Sequence, residues 1–181
     1  MAGKQTGKPN KHPQKQPVRW PVFLAAAVLL VAAAVSVLLR GRSGTAPGGS
    51  ADVQTISAGQ SLVIDAAGVT QTARFYPVEV DGTQMEIIAV RDSEGTIRTA
   101  FNTCQICYSS GRGCYVQSGD ALVCQNCGNR FTVDQVEIES GGCNPWPIFA
   151  ENKRVTDETV TISYDYLKQA TQLFANWKSA F

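Results

Sequence analysis

Histidine is nearly missing from this chain. Its 181 residues hold one, His12, within a polar N-terminal stretch. The remaining sequence therefore lacks both the usual general base and the imidazole metal ligand. No Gly-x-Ser-x-Gly and no phosphate-binding glycine loop occurs, and no paired carboxylates stand at a spacing suited to acid–base work. Asp134, Glu137 and Glu139 read as solvated surface. These absences argue against an enzyme. An excess of basic charge is missing too: from residue 53 onward there are 9 basic and 14 acidic residues, a net of −5. That excludes the cationic face a nucleic-acid binder needs.

One long apolar run is present. PVFLAAAVLLVAAAVSVLL, residues 21–39, carries no charge. At about 1.5 Å per residue it reaches roughly 28 Å, enough for a hydrocarbon core of about 30 Å. Trp20 lies at an interfacial position, and Arg40 and Arg42 close the run. A transmembrane helix over 20–40 is expected. A cleaved signal peptide is the rival, but its apolar stretch is shorter and is followed by small residues rather than arginines. Lys4, Lys8, Lys11, Lys15 and Arg19 precede the span without any acid. The tail 1–19 should then stay in the cytoplasm, with everything beyond the span outside the cytoplasmic membrane. Residues 41–52, GRSGTAPGGSAD, have the composition of a flexible linker.

The rest, 53–181, alternates like a β domain. ARFYPVEV (73–80) and QMEIIAVR (84–91) flank Asp81-Gly82, a hairpin signal. Asp92-Ser93-Glu94-Gly95 leads by a second turn to TIRTAFN (96–102). Ser118-Gly119-Asp120 separates CYVQ (114–117) from ALVC (121–124), while QSLVID (60–65) and TVTIS (159–163) read as outer strands. Near the end the period changes. Leu167, Ala170, Leu173, Phe174 and Trp177 recur at helical spacing, behind Ser163 as N-cap and Asp165 in the first turn. The expected fold class is mainly β, a small domain of Rieske-like or zinc-ribbon-like kind closed by a C-terminal amphipathic helix.

Into this pattern fall six cysteines, Cys104, Cys107, Cys114, Cys124, Cys127 and Cys143. Four of them make C-x2-C-x16-C-x2-C. In each pair the sulfurs can face one ion across a tight turn. Four thiolates suit Zn²⁺ or an iron–sulfur cluster, and spacing alone does not choose between them. Disulfides are the competing reading for an extracytoplasmic chain, but a domain of 129 residues can build a core without them. A thiol–disulfide exchanger would place one pair at a helix start in a βαβ unit, a setting missing here. Gly141-Gly142 before Cys143 and Asn144-Pro145 after it mark a tight turn. Two readings fit: Cys143 lies over the metal site as ligand or neighbour, or it belongs to a structural turn in which it is merely buried or pairs with Cys114. Arg130 reads as solvated and Trp146 as packing.

TAFNTCQICYSSGRGCYVQSGDALVCQNCGNRF, with GGCNPWPI at 141–148 and RFYPVEVDGTQMEIIAVRDSEGTIR before it, resembles the FtrD-like membrane iron–sulfur protein family over roughly residues 72–165. The resemblance implies an iron–sulfur protein on the outer face of the membrane, and such a centre suggests an electron-transfer role. It would serve high-affinity iron import beside an iron permease and a periplasmic iron-binding protein. It carries a site role to Cys104, Cys107, Cys124, Cys127 and Cys143, the first four as metal ligands, and none to Cys114. A more distant likeness is to Rieske proteins: a hairpin, two ligand loops, and Gly128 to Phe131 as Gly-x-x-Phe. Cysteine stands in both histidine-like places, so two added negative charges would favour the oxidised form, toward about −400 mV.

Overall fold

Strand alternation on both faces of one sheet sets the architecture. The computed structural model describes Gly3 and residues 52–181, so the expected transmembrane span and nearly all of the tail and linker lie outside the described residues. Among the described residues, no helix is long and apolar enough to cross a membrane. Within the described residues, eleven strands form three sheets: β1 Gln54–Thr55, β2 Ser61–Asp65, β3 Arg74–Val80, β4 Thr83–Arg91, β5 Ile97–Cys104, β6 Tyr115–Ser118, β7 Ala121–Cys124, β8 Arg130–Thr132, β9 Pro145–Pro147, β10 Arg154–Val155 and β11 Thr159–Ser163. The central sheet runs β1-β3-β4-β5-β9, and the flanking ones β10-β11-β2 and β6-β7-β8.

Successive side chains of a strand point to opposite faces, and β4 buries both. Met85, Ile87 and Ala89 join one core with Leu62 and Ile162 of β2 and β11. Ile88 and Val90 join another with Tyr115, Leu122 and Phe131 of the β6-β7-β8 sheet. β5 divides likewise: Ile97 and Phe101 face the first core, Ala100 and Cys104 the second. The second core therefore meets the cysteines at the end of β5 and β7.

The turns follow local chemistry. β3 and β4 pair in register from Arg74↔Ala89 to Val80↔Thr83. Asp81 (φ 49°) and Gly82 (φ 78°) both adopt the left-handed conformation that a two-residue hairpin of this twist requires. β9 was legible only as a turn. Its prolines donate no ladder hydrogen bond, and the strand lies at the sheet edge where that loss is tolerated.

Two expectations are corrected. The helix, α1, spans only Tyr164–Ala170, capped by Ser163 accepting from the Tyr166 amide; a 3-10 turn over Thr171–Phe174 follows. The periodic run continues to Trp177 because those residues still face the core, but Trp177 Nε1 donates to the Asn102 carbonyl at 2.7 Å. That bond and the edge-on contact with Phe174 hold Trp177 in a turn. Glu137 is not solvated: its side chain is 8% exposed, paired with Lys153 at 3%. It also accepts from the Thr99 amide at 2.9 Å. Asp134 and Glu139 are exposed as expected.

Candidate metal centre

Each Cys-x-x-Cys pair begins where a buried strand ends. Cys104 closes β5 and Cys124 closes β7, both virtually without exposure. The chain then turns back, so backbone amides point at the leading sulfur. The Cys107 amide donates to Cys104 Sγ at 3.3 Å. In the second loop the Gly128 amide donates to the Cys124 carbonyl at 2.9 Å, closing the turn, and Gly128 takes φ 74°. Two knuckles of the same build thus face each other.

Gly113 lets the first knuckle close. Its carbonyl accepts from the Cys104 amide at 2.6 Å, and a Cβ there would stand 2.3 Å from the Cys107 carbonyl oxygen. No side chain fits.

The third loop docks onto both knuckles. Gly141 and Gly142 have φ of 86° and 68°, the conformation glycine adopts freely. Gln105, inside the first pair, holds this loop from three sides. Its backbone amide donates to the Asn144 carbonyl at 3.0 Å, its Nε2 to the Pro145 carbonyl at 3.3 Å, and its Oε1 accepts from the Gly141 amide at 2.9 Å. The Cys143 carbonyl accepts from the Tyr115 hydroxyl at 2.7 Å and from Asn129 Nδ2 at 3.3 Å. Tyr115 is itself fixed by Asn102, whose Oδ1 accepts from the Tyr115 amide at 2.7 Å and whose Nδ2 donates to its carbonyl at 3.2 Å. Sequence reasoning missed Tyr115, Asn102, Gln105 and Gly113. An aromatic in a strand reads as core, and a lone amide carries no motif; only the Gly-Arg-Gly before Cys114 hinted at a close approach.

Five sulfurs converge as a result. Those of Cys104, Cys107 and Cys143 lie within 4.8 Å of one another, and so do those of Cys107, Cys124 and Cys127. Cys107 belongs to both trios. Cys127 and Cys143 bridge them, with sulfurs 3.5 Å apart. Cys114 stands outside both groups, buried, and is not paired with Cys143; all six cysteines are free thiols. Arg130 is exposed, and Trp146 packs against the first core.

Among the five thiols, the surroundings favour ionisation of two and oppose it at three. Burial disfavours ionisation of Cys104, yet the nearby Tyr115 hydroxyl and the Cys107 and Ile106 amides outweigh it and hold its pKa below an ordinary thiol's. The Asn129 amide does the same for exposed Cys127. Their charges, with burial, push the others up. Burial and the Cys104 charge raise Cys107 and, strongly, Cys124. Cys143, hydrogen-bonded to Cys127, is pushed up to about 12. Ionising all five without a positive centre is unfavourable, and soft thiolates select zinc or iron–sulfur centres. A tetrahedral ion takes only four ligands, one fewer than the five thiols gathered here, and the residues present fit an iron–sulfur group.

Comparison with known proteins agrees. The family described as "Membrane iron-sulfur containing protein FtrD-like" matches residues 69–174, more than half of the chain. Among curated proteins none matches. A solved structure of a naphthalene 1,2-dioxygenase point mutant bound to phenanthrene is similar at 17% identity and a TM-score of 0.39, over 61% of this chain and 27% of that one. The chain thus spans little more than a quarter of that protein, and the likeness is too slight to carry an argument.

Proposed function

The chain belongs to the FtrD-like membrane iron–sulfur protein family, and from that membership we propose that it is a membrane-anchored electron-transfer protein accessory to high-affinity iron import. In this reading it is a carrier rather than an enzyme, held by one span at 20–40. Its N-terminus lies in the cytoplasm, and its cysteine domain works outside beside an iron permease and a periplasmic iron-binding protein. The span and its orientation rest on the apolar run 21–39 and the basic residues before it.

The observation that carries the reading is the pair of sulfur trios sharing Cys107. When bound, an iron–sulfur group supplies one-electron exchange at a potential set by its ligands and hydrogen bonds. The chain's own residues do the rest. Gly113 and Gln105 fix the loops, and Tyr115 holds Cys143 in place. Cys104 and Cys124 are sealed from water, whereas Cys127 is exposed and Cys143 half-buried. Ile106, between the first two cysteines, is 62% exposed. That open, partly apolar edge is where an electron partner can approach.

Anaerobically purified full-length chain should be brown, carry iron and acid-labile sulfide, and bleach on reduction with dithionite. A colourless chain with one zinc and no sulfide would replace the carrier with a zinc-stabilised binding module.

A further inference from the structure

A second feature adjoins the cysteine loops. An open cavity of about 410 Å³ is lined by Cys114, Tyr115 and Val116 of the β6 side and by Gln125 of the second knuckle. That volume is within the range of small-molecule sites, about 300–1,000 Å³. Phe75 and Phe181 supply aromatic walls. The polar groups are few and placed together. Glu86, its side chain 13% exposed, has Lys178 Nζ 3.3 Å from Oε1, and its Oε2 accepts from Asn102 Nδ2 at 2.5 Å. Gln125 Nε2 donates to the Val123 carbonyl at 3.0 Å; among the described residues no hydrogen bond engages its side-chain oxygen.

The cavity connects to the metal centre through named contacts. Asn102, which binds Glu86, also holds both backbone groups of Tyr115. Tyr115 lines the cavity, and its hydroxyl reaches the Cys143 carbonyl. Tyr115 is thus shared by the cavity lining and the loop that carries Cys143.

We propose that this cavity binds a hydroquinone-class molecule, a planar ring with apolar faces and hydroxyls on its edge. The ring packs against Phe75 and Phe181. One hydroxyl donates to the Glu86 carboxylate and accepts from Lys178, and another donates to the Gln125 oxygen. Lys178 Nζ can donate to a hydroxyl or to a carbonyl oxygen alike. The Glu86 carboxylate and the Gln125 side-chain oxygen accept only from O–H groups, so the reduced ring makes hydrogen bonds to both that its quinone cannot. Aliphatic ligands would leave the aromatic walls unused, and rings without hydroxyls would leave the polar groups unpaired. The cavity's role is binding alone: a hydroquinone, which gives up two electrons and two protons, is too weak a reductant for a low-potential all-cysteine centre. The site therefore goes beyond the electron-carrier reading and does not rest on it.

The test is an anaerobic calorimetric titration of full-length chain in detergent with tetramethyl-1,4-hydroquinone, tetramethyl-1,4-benzoquinone, whose ring has no free position for thiol addition, and 1,4-dimethoxytetramethylbenzene. Saturable binding of the hydroquinone is expected, at least tenfold tighter than either analogue. Val116→Trp, at a position 47% exposed, should fill the cavity and abolish binding. Glu86→Gln and Gln125→Leu should each weaken it several-fold while iron and sulfide content stay constant, which shows that the fold is intact. Equal affinity for the dimethoxy analogue, absence of saturable binding, or binding that survives in all three variants would overturn the proposal. Failure of dithionite to bleach the visible band removes the electron-carrier reading and leaves the binding result standing.

Discussion

Cys127 Sγ lies 3.5 Å from Cys143 Sγ, although sixteen residues separate them in the chain and one is exposed while the other is half-buried. The contact joins two trios that otherwise share only Cys107. The trios rank the cysteines. Cys107→Ser should lose nearly all iron and sulfide, because it removes a sulfur from both. Cys104→Ser, Cys124→Ser and Cys127→Ser should retain little and unfold more easily, since metal binding and folding are coupled at such sites. Cys143→Ser should load but release its iron about 10-fold faster to a chelator, the scale of losing a supporting group. Cys114→Ser should match the parent. Full occupancy in two or more of the four paired-cysteine variants would show that the ligand set is wrong.

Gly113→Ala should behave like a ligand mutation without touching a sulfur. The added methyl would meet the Cys107 carbonyl at 2.3 Å, so the first knuckle must open. Overpacking of this kind costs about 1–3 kcal/mol. Thermal unfolding and iron content should fall together; an unchanged melting temperature would mean that the loop yields.

Some of this site could be read from the chain and some could not. Strands β3, β4, β7 and β11 and the Asp81-Gly82 turn were legible because each depends on a short window: alternation, or a residue type suited to positive φ. The paired cysteines were legible for the same reason. The convergence of Cys143 was only half legible. Gly141-Gly142 announces a turn, but its docking depends on Gln105, 36 residues earlier, and on Tyr115. The buried state of Glu137 was hidden altogether. Its neighbours Ile138, Glu139 and Ser140 are exposed, and its partner Lys153 comes from a different loop. The helix was overextended because helical spacing marks the buried face and not the hydrogen bonds that end a helix.

Tyr115→Phe removes a hydroxyl that serves both the Cys143 carbonyl and the Cys104 sulfur. The ring remains packed, but the Cys143 carbonyl loses its 2.7 Å donor and keeps only Asn129 at 3.3 Å. Stability should drop by about 1 kcal/mol, and the chromophore should be lost roughly 10-fold faster to a chelator. Equal chelation rates would show that the hydroxyl does not support the loop.

Lys153→Met would strand a buried carboxylate. Glu137 would keep the Thr99 amide and lose its ammonium partner, and the Thr99 hydroxyl would lose the Lys153 donor 2.9 Å away. Breaking a buried pair from one side costs about 3–5 kcal/mol, whereas replacing both partners is far milder. Urea unfolding of Lys153→Met and of Glu137→Gln/Lys153→Met should show a large loss in the first and substantial recovery in the second.

Asp92 gives the fold an acid-sensitive element remote in sequence from the cysteines. Its side chain is 4% exposed, and burial alone would raise its pKa. The Thr96 amide, the Arg98 guanidinium and the Glu94 amide prevail, and the carboxyl is held below the usual carboxylate value. Oδ1 accepts from Thr96 at 2.7 Å and Glu94 at 3.1 Å, and Oδ2 from Arg98 Nε at 2.8 Å. These bonds shape the turn that leads into β5, the strand ending in Cys104. Because the folded pKa lies below the unfolded one, this stabilisation is complete above the unfolded value of about 3.9 and disappears as pH falls through the folded pKa. Asp92→Asn should therefore cost about 1–2 kcal/mol near neutrality, and the gap to the parent should narrow below about pH 4. Thiolate ligation also weakens in acid, so both chains must be compared in the same metal state, by urea midpoint across the acid range. A gap independent of pH would show that packing of the turn, and not the carboxylate charge, sets the contribution of Asp92.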